Sequence, residues 1–422
     1  MAVRPTVEPG QTLRRRWTQL YYITHVDNVA SILNEGILSH GEILRRGLSY
    51  TPVYNRAIVD RRSAITTPAG RSLWDYANVY LQPRNPMLFT VARSIPLDQV
   101  TVLGVQRGST YYSPDAFITD GNAASDATKF YPIAQRGRAF AELKSVGGAG
   151  GGLEYWKPED GSKRKIMAEV LVPTRIPEES ILDIYVANND VRSNLDDRLS
   201  QAGPHPPVIA EPYMFFQPDF ELPLTGSLSL VRGDMFFSTM QTLTISVNTV
   251  GVMGKGLASR AKYQFPDLYV RYQDLCRSKA LQLGKPVLYK RESSLDVQLA
   301  DEPELIPNPE SSTWFILFAT KDDWRKPAKR QGIIDGLNWL EANYRSEGIR
   351  SLAVPALGCG LGWLSWSDIG PILCQRLARL EIPTQLYLPT ETAIPPDQLS
   401  PAFLLGSSGA GPVPPSSVQR TL

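Results

Sequence analysis

A chain of 422 residues, 42% hydrophobic and 20% charged, is long enough for two or three ordinary domains and apolar enough to bury a core in each, which excludes a wholly disordered or fibrous protein. It holds no apolar run of the roughly 18–20 residues that span a bilayer and opens on no charged, apolar and small-residue series, so the expected setting is the cytoplasm with no membrane partner. Three cysteines (Cys276, Cys359, Cys374) make neither a disulfide framework nor a metal-ligand spacing, no metal is expected, and a formal charge of +2 neither demands nor excludes nucleic acid.

In chain order, the first segment collects Arg14, Arg15, Arg16, Arg45, Arg46, Arg56, Arg61 and Arg62, which reads either as a phosphate-contacting face or as a solvated helix surface. Leu20 to Ile23 reads as a strand, followed by a helix that Asp27 caps, with Val29, Ile32 and Leu33 on one face and Gly36 at its end. Arg61 and Arg62 fall in a predicted loop. The apolar run Ile166 to Val172, closed by Pro173, reads as a strand with Glu169 on the face opposite Ala168 and Val170, a solvent-facing position. A proline-rich stretch carrying the aromatic patch Tyr213, Phe215 and Phe216 then closes a first domain, expected over 14–217, and leads into a linker over 218–227.

From Leu228 strands and helices alternate: strands at Leu243–Val247, Trp314–Ala319 and Ser351–Pro355, and helices at Leu257–Tyr272, Ile333–Tyr344 and Trp366–Leu380. Such alternation predicts a layered α/β domain with a largely parallel sheet, expected over 228–390. Residues 393–422, rich in Pro, Gly and Ser, are expected to be disordered.

In an α/β sheet, ligands sit beyond the carboxyl ends of the strands, and two segments here leave strands into glycine-rich turns. One is Asn248-Thr249-Val250-Gly251-Val252-Met253-Gly254-Lys255-Gly256; the other is Gly358-Cys359-Gly360-Leu361-Gly362-Trp363. Glycine lets the backbone approach a ligand and expose its amides, and a following helix N-terminus favours an anion, so the pair would grip a diphosphate from both sides. Together with Gly233-Asp234-Met235-Phe236, the series resembles the macrodomain family. That resemblance implies an ADP-ribose ligand, with Asp234 at the adenine, Asn248 near the distal ribose, and both glycine loops (Gly251, Val252, Met253, Gly254, Gly256; Gly358, Cys359, Gly360, Leu361, Gly362) around the diphosphate. Phe265-Pro266 and the later Thr320-Lys321-Asp322-Asp323-Trp324-Arg325 resemble the DarG branch, which implies that Lys321 is the catalytic lysine of a glycohydrolase. A partly desolvated amine at a strand end can lose its proton and attack an anomeric carbon.

The N-terminal half has no phosphate loop and no zinc pattern. It offers a dispersed set: Tyr22-Ile23-Thr24-His25, the Arg61-Arg62 pair, the aromatic segment around Pro83-Arg84-Asn85-Pro86-Met87, and Glu169 after Lys163-Arg164-Lys165. These types suit nicotinamide displacement, with histidine on ribose, arginine on diphosphate or accepting base, and glutamate against the developing oxocarbenium. Tyr22-x-x-His25, Leu73-x-Asp75-Tyr76, Tyr80-x-x-Pro83-Arg84-x-Pro86-Met87-Leu88, Thr119-Asp120-Gly121 and Ala168-Glu169-x-Leu171-Val172 together resemble the DarT family of DNA ADP-ribosyltransferases. The resemblance implies NAD as co-substrate, Glu169 as the catalytic glutamate, and His25 with Thr24 and Arg62 at the NAD⁺. It also implies Arg61 as the catalytic arginine, with Arg62 as its alternative, and Arg84, Trp156, Lys163 and Arg164 as contacts to single-stranded DNA. Asn122 stands where that family often has histidine.

The expected architecture is an α+β ADP-ribosyltransferase-like domain followed by an α/β/α three-layer macrodomain. The expected function is ADP-ribosylation of a DNA base, thymine favoured, reversed by the second half, with contact between the halves as a second route to neutralisation. The alternative is an ADP-ribose binding and signalling protein whose transferase half is degenerate or directed at protein.

Overall fold

The computed structural model describes residues 18–53, 56–111, 113, 115–144, 156, 161–291, 313–389 and 393–406, leaving aside the side chains of 56–59, 109, 111 and 144. The Arg14–Arg16 run lies outside them. The chain divides between Gln217 and Pro218 into two compact units.

The first unit's strands are β1 (Leu20–His25), β2 (Ile37–Leu38), β3 (Tyr76–Tyr80), β4 (Val100–Val105), β5 (Phe117–Thr119), β6 (Phe130–Pro132), β7 (Glu169–Pro173), β8 (Arg175–Ile176), β9 (Ile181–Val186) and β10 (Val208–Ala210). Eight of them form one sheet in the order β10-β9-β4-β1-β3-β7-β5-β6, while β2 pairs with β8. Only β9 and β10 run parallel within that sheet. β1 pairs with β4 along its whole length but meets β3 at the single register point Tyr21↔Tyr80, so the sheet splits between them towards His25. Leu20, Val79, Leu103, Val170 and Ile184 are fully buried in its core.

Several local expectations change on folding. Asn28 rather than Asp27 precedes the helix Val29–Glu35, because Asp27 sits in a 3-10 turn that the His25 side chain caps; Gly36 ends the helix at φ 78°. Arg61 and Arg62 lie in the helix Arg56–Ala64, not in a loop. The strand expected from Ile166 begins only at Glu169, since the amides of Ile166, Met167 and Ala168 are spent on the preceding turn. Phe215 is fully buried, and Phe216 packs edge-on against Phe89 at 5.0 Å.

The second unit contains β11 (Phe220–Pro223), β12 (Leu228–Arg232), β13 (Thr242–Asn248), β14 (Val287–Tyr289), β15 (Trp314–Lys321), β16 (Leu352–Pro355) and β17 (Thr384–Tyr387), ordered β11-β12-β17-β16-β13-β15-β14. The five inner strands are parallel, and the two edges are antiparallel. Strand alternation sends Phe315, Leu317 and Ala319 to the core shared with the helices Gly256–Gln264 and Pro266–Arg277. Ile316 and Phe318 face the helices Arg330–Asn343 and Trp366–Leu377 on the other side. The result is the three-layer α/β/α arrangement. Gly336 lets the helix sit on the sheet, since a Cβ there would come 2.3 Å from the Phe318 ring. The helix expected over Leu257–Tyr272 is two, because Pro266 opens a new one.

Two boundaries are corrected. The segment 218–227 is not a free linker, because β11 lies inside it and pairs with β12 over four register positions. Nor is the tail disordered from 393: Pro401–Leu405 is helical, Leu404 is fully buried, and Trp366 Nε1 donates to the Gln398 carbonyl. Residues 407–422 of that tail lie outside the described residues.

Candidate active sites

In the first unit the chemistry gathers at the start of β7. Glu169 is fully buried rather than solvent-facing, because Arg62 of the helix Arg56–Ala64, Asn78 of β3 and the turn at Ala123 close over its carboxylate. Arg62 reaches it bidentately, Nη1 to Oε1 at 3.2 Å and Nη2 to Oε2 at 3.1 Å; Asn78 Nδ2 adds a bond to Oε2 and the Ala123 N–H one to Oε1, each at 2.9 Å. Four donors satisfy a charge whose burial would otherwise be costly. Burial by itself would lower the Arg62 pKa, but the charge and hydrogen bonds of Glu169 outweigh it and raise it, so the guanidinium stays protonated.

Between the two arginines the helix decides. Arg62 turns inward to Glu169, whereas Arg61, one step round, is half-buried and lies 3.7 Å from Asp126. The structure therefore brings Arg62, and not Arg61, to the carboxylate. His25 and Thr24 end β1 beyond the split: His25 Nδ1 accepts the Asp27 N–H at 3.2 Å and Thr24 Oγ1 accepts from Asn28 at 3.1 Å. Because Glu169 aligns with Tyr80, and Tyr80 with Tyr21, His25 stands four residues along the strand direction, roughly 13 Å at about 3.3 Å per residue.

Of the expected DNA contacts, three are engaged within the fold itself. Arg84 is buried, its guanidinium 3.9 Å over the Tyr213 ring and 4.5 Å over Phe216, so as folded it braces the aromatic segment. Trp156 is buried edge-on to Phe89 and Phe216. Arg164 is tied to Asp120 Oδ1 at 2.9 Å and to Thr128 Oγ1 at 3.1 Å. Lys163, half-buried on the helix Ser162–Lys165, lies beside it in sequence. The basic face is also partly self-neutralised, since Arg45 pairs with Glu42 and Arg46 with Glu35 and Glu42.

Sequence reasoning missed Asn78 and the turn that presents Ala123. Thr119 Oγ1 accepts the Glu169 N–H at 2.9 Å and donates to the Gly121 carbonyl, while Asn122 Oδ1 takes the Ala124 N–H at 3.0 Å. The Thr119-Asp120-Gly121 motif was the available signal. Asn122, where the family often has histidine, is spent on this turn and is buried.

In the second unit Asn248 and Lys321 are register partners at the ends of β13 and β15. Asn248 Oδ1 accepts from the Val250 and Val252 amides and from Tyr272 OH, and its Nδ2 donates to the Val252 carbonyl at 2.6 Å. Its first task is thus to fold the loop that follows it. Gly251 and Gly256 (φ 81° and 59°) and Gly358 and Gly360 (φ 85° and 62°) take left-handed conformations that favour glycine. The loops adjoin, since a Cβ on Gly256 would come 3.3 Å from Leu361 Cδ1. Met253 is buried in the core, so it offers a ligand only its backbone, while Val252 is exposed. The helix Gly256–Gln264 starts without a side-chain cap, which leaves its first amides directed at the space between the loops.

Lys321 Nζ donates to the Leu361 carbonyl at 2.7 Å, which carries the amine to the second loop, and burial lowers its pKa below the usual 10.5. Gly362 accepts the Ala328 N–H at 2.9 Å, and Cys359 is half-buried beside it. At the opposite end Asp234 Oδ1 caps the turn Met235–Phe237 and Oδ2 pairs with Arg260, whose guanidinium lies 4.6 Å over the Phe236 ring.

A family model described as the ssDNA thymidine ADP-ribosyltransferase DarT matches residues 21–216. A DNA ADP-ribosyl transferase–DNA ADP-ribosyl glycohydrolase fusion protein of Thermosipho africanus is 52% identical over 393 residues, covering 93% of this chain and 99% of the relative. The solved structure of Thermosipho africanus DarTG in complex with ADP-ribose superposes with a TM-score of 0.83 at 51% identity, over 92% of this chain and 99% of that one. A DNA ADP-ribosyl glycohydrolase of Thermus aquaticus is 34% identical over 39% of this chain and 42% of its own length. Two glycine loops closed on a lysine, downstream of a buried glutamate–arginine pair, together with identity sustained along nearly the whole chain, place the protein in the DarT–DarG fusion family of DNA ADP-ribosyl transferase–glycohydrolases.

Proposed function

We propose that the first unit transfers ADP-ribose from NAD⁺ to a base of single-stranded DNA, thymine favoured, and that the second unit removes it. The observation that carries the first half is Glu169, fully buried and held in place by hydrogen bonds from Arg62, Asn78 and the Ala123 amide. As the nicotinamide–ribose bond breaks, the electron pair leaves with neutral nicotinamide and positive charge develops on the ribose, where a fixed carboxylate is most stabilising. The base attacks that carbon and its ring N–H proton passes through Glu169 to solvent, while Arg62 polarises the base carbonyl. Thr24 and His25, across the split in the sheet, suit the far end of an extended dinucleotide. A constellation this completely satisfied weighs against a degenerate transferase half.

For removal, ADP-ribose runs from Asp234 past the two glycine loops to Asn248, with its diphosphate on loop amides and the helix start. Lys321, its pKa lowered by burial, attacks the anomeric carbon as a neutral amine; the base departs, and water then frees the sugar from the lysine. Incubating the full chain with NAD⁺ and a panel of short single-stranded oligonucleotides, read by mass spectrometry, tests the proposal. Lys321→Ala should accumulate the DNA adduct, keep ADP-ribose affinity and turn the expressed chain toxic, and Glu169→Gln on that background should abolish both adduct and toxicity. An adduct on protein but not on DNA would overturn the reading.

A further inference from the structure

We infer that a cleft beyond Asn248 and Lys321 seats the DNA strand that carries the ADP-ribosylated base. The inference rests on the hydrolase reading above and adds where its macromolecular substrate lies. β13 and β15 end side by side, and immediately past their ends Thr249 donates both its N–H, at 3.3 Å, and its Oγ1, at 3.0 Å, to the Asp322 carbonyl. From this tie opens a cleft of about 940 Å³, lined by Thr249, Val250, Gly251 and Asp322 together with Gln273, Cys276, Arg277, Lys279, Gln282 and the leucines Leu281 and Leu283. Of the diphosphate-loop residues only Gly251 lines it, beside Val250. It therefore borders the ADP-ribose groove at Gly251 and extends from it at the sugar end.

Position and chemistry agree. An ADP-ribose that runs from Asp234 to Asn248 presents its anomeric carbon to Lys321, so whatever is bonded to that carbon must continue past these two residues, and the cleft lies there. Its volume is at the upper end of the roughly 300–1,000 Å³ of small-molecule sites, enough for a nucleotide with its flanking phosphates. Lys279 and Arg277, the latter also paired with Asp274 at 2.8 Å, supply cations, and Gln273 and Gln282 supply amides that bond phosphate or base edges without regard to sequence. The Arg277 side chain is 72% exposed, and Lys279, past the helix end, is exposed as well. The one lining carboxylate, Asp322, is paired with Lys329. Such a basic, amide-bearing lining suits a single strand of nucleic acid.

Hydrogen–deuterium exchange on the Lys321→Ala chain, in which the substrate persists, locates the strand directly. An oligonucleotide carrying one ADP-ribosylated base should protect residues 273–282, and ADP-ribose alone should not. In the parent chain, Arg277→Glu with Lys279→Glu should raise KM for release from that oligonucleotide about tenfold and flatten its salt dependence, leaving ADP-ribose affinity and release from an ADP-ribosylated nucleoside unchanged. Equal protection by ADP-ribose alone, equal protection by a polyglutamate peptide, or no protection at 273–282 would each overturn the inference. Protection without any release by the parent chain would leave the cleft standing and overturn the hydrolase reading instead.

Discussion

Replacing Glu169 with alanine should cost stability as well as activity, and the size of the loss follows from what surrounds the carboxylate. Arg62 is 13% exposed in its side chain and Glu169 is fully buried, so the alanine variant strands a guanidinium in the interior and leaves the Asn78 amide and the Ala123 N–H without their acceptor. Removing one partner of a buried ion pair costs about 3–5 kcal/mol. For a unit of 150–250 residues, each kcal/mol moves the midpoint by about 2–4 °C, so the transition should fall by roughly 6–20 °C. Calorimetry of the full chain, with ADP-ribose added to shift the second unit's transition upward, isolates the one concerned. In the double variant Glu169→Ala, Arg62→Met both charges are gone, and most of the loss should return. A Glu169→Ala chain that melts with the parent, or single losses that simply add in the double variant, would refute the buried-pair reasoning.

Gly121→Ala should weaken transfer without touching a reacting group, since its Cβ would lie 2.4 Å from Arg164 Nη1 and spread the turn that aims the Ala123 amide at Glu169; transfer equal to the parent's would contradict this. Because burial lowers the Lys321 pKa and the neutral amine is the nucleophile, ADP-ribose release should rise with pH and level off with a midpoint below 10.5; a rate that falls as pH rises through that range would sink the assignment. Leu404→Ala, a fully buried leucine beyond the expected end of the fold, should destabilise the second unit by about 2–5 kcal/mol in denaturant unfolding, whereas a disordered tail would tolerate it.

The sequence by itself determined what depends on near neighbours. The strand–helix alternation after Leu228 follows from local periodicity, and the two glycine loops follow from residues whose left-handed backbone needs no distant partner. The order of motifs was likewise enough to suggest both families. Only tertiary structure decided which arginine meets Glu169, because adjacent helix positions point about 100° apart and the sequence carries no signal of which face packs inward. The same holds for Asn78 and Ala123, which lie 91 and 46 residues from Glu169 and reach it through the β3–β7 register and a turn held by Arg164. Arg84, Trp156 and Arg164 were expected at DNA from the family resemblance; only packing shows that their polar and aromatic surfaces meet Tyr213, Phe89 and Asp120. Composition likewise undervalued the segments 218–227 and 393–406, whose few apolar residues become ordered once a sheet edge and a core are there to receive them.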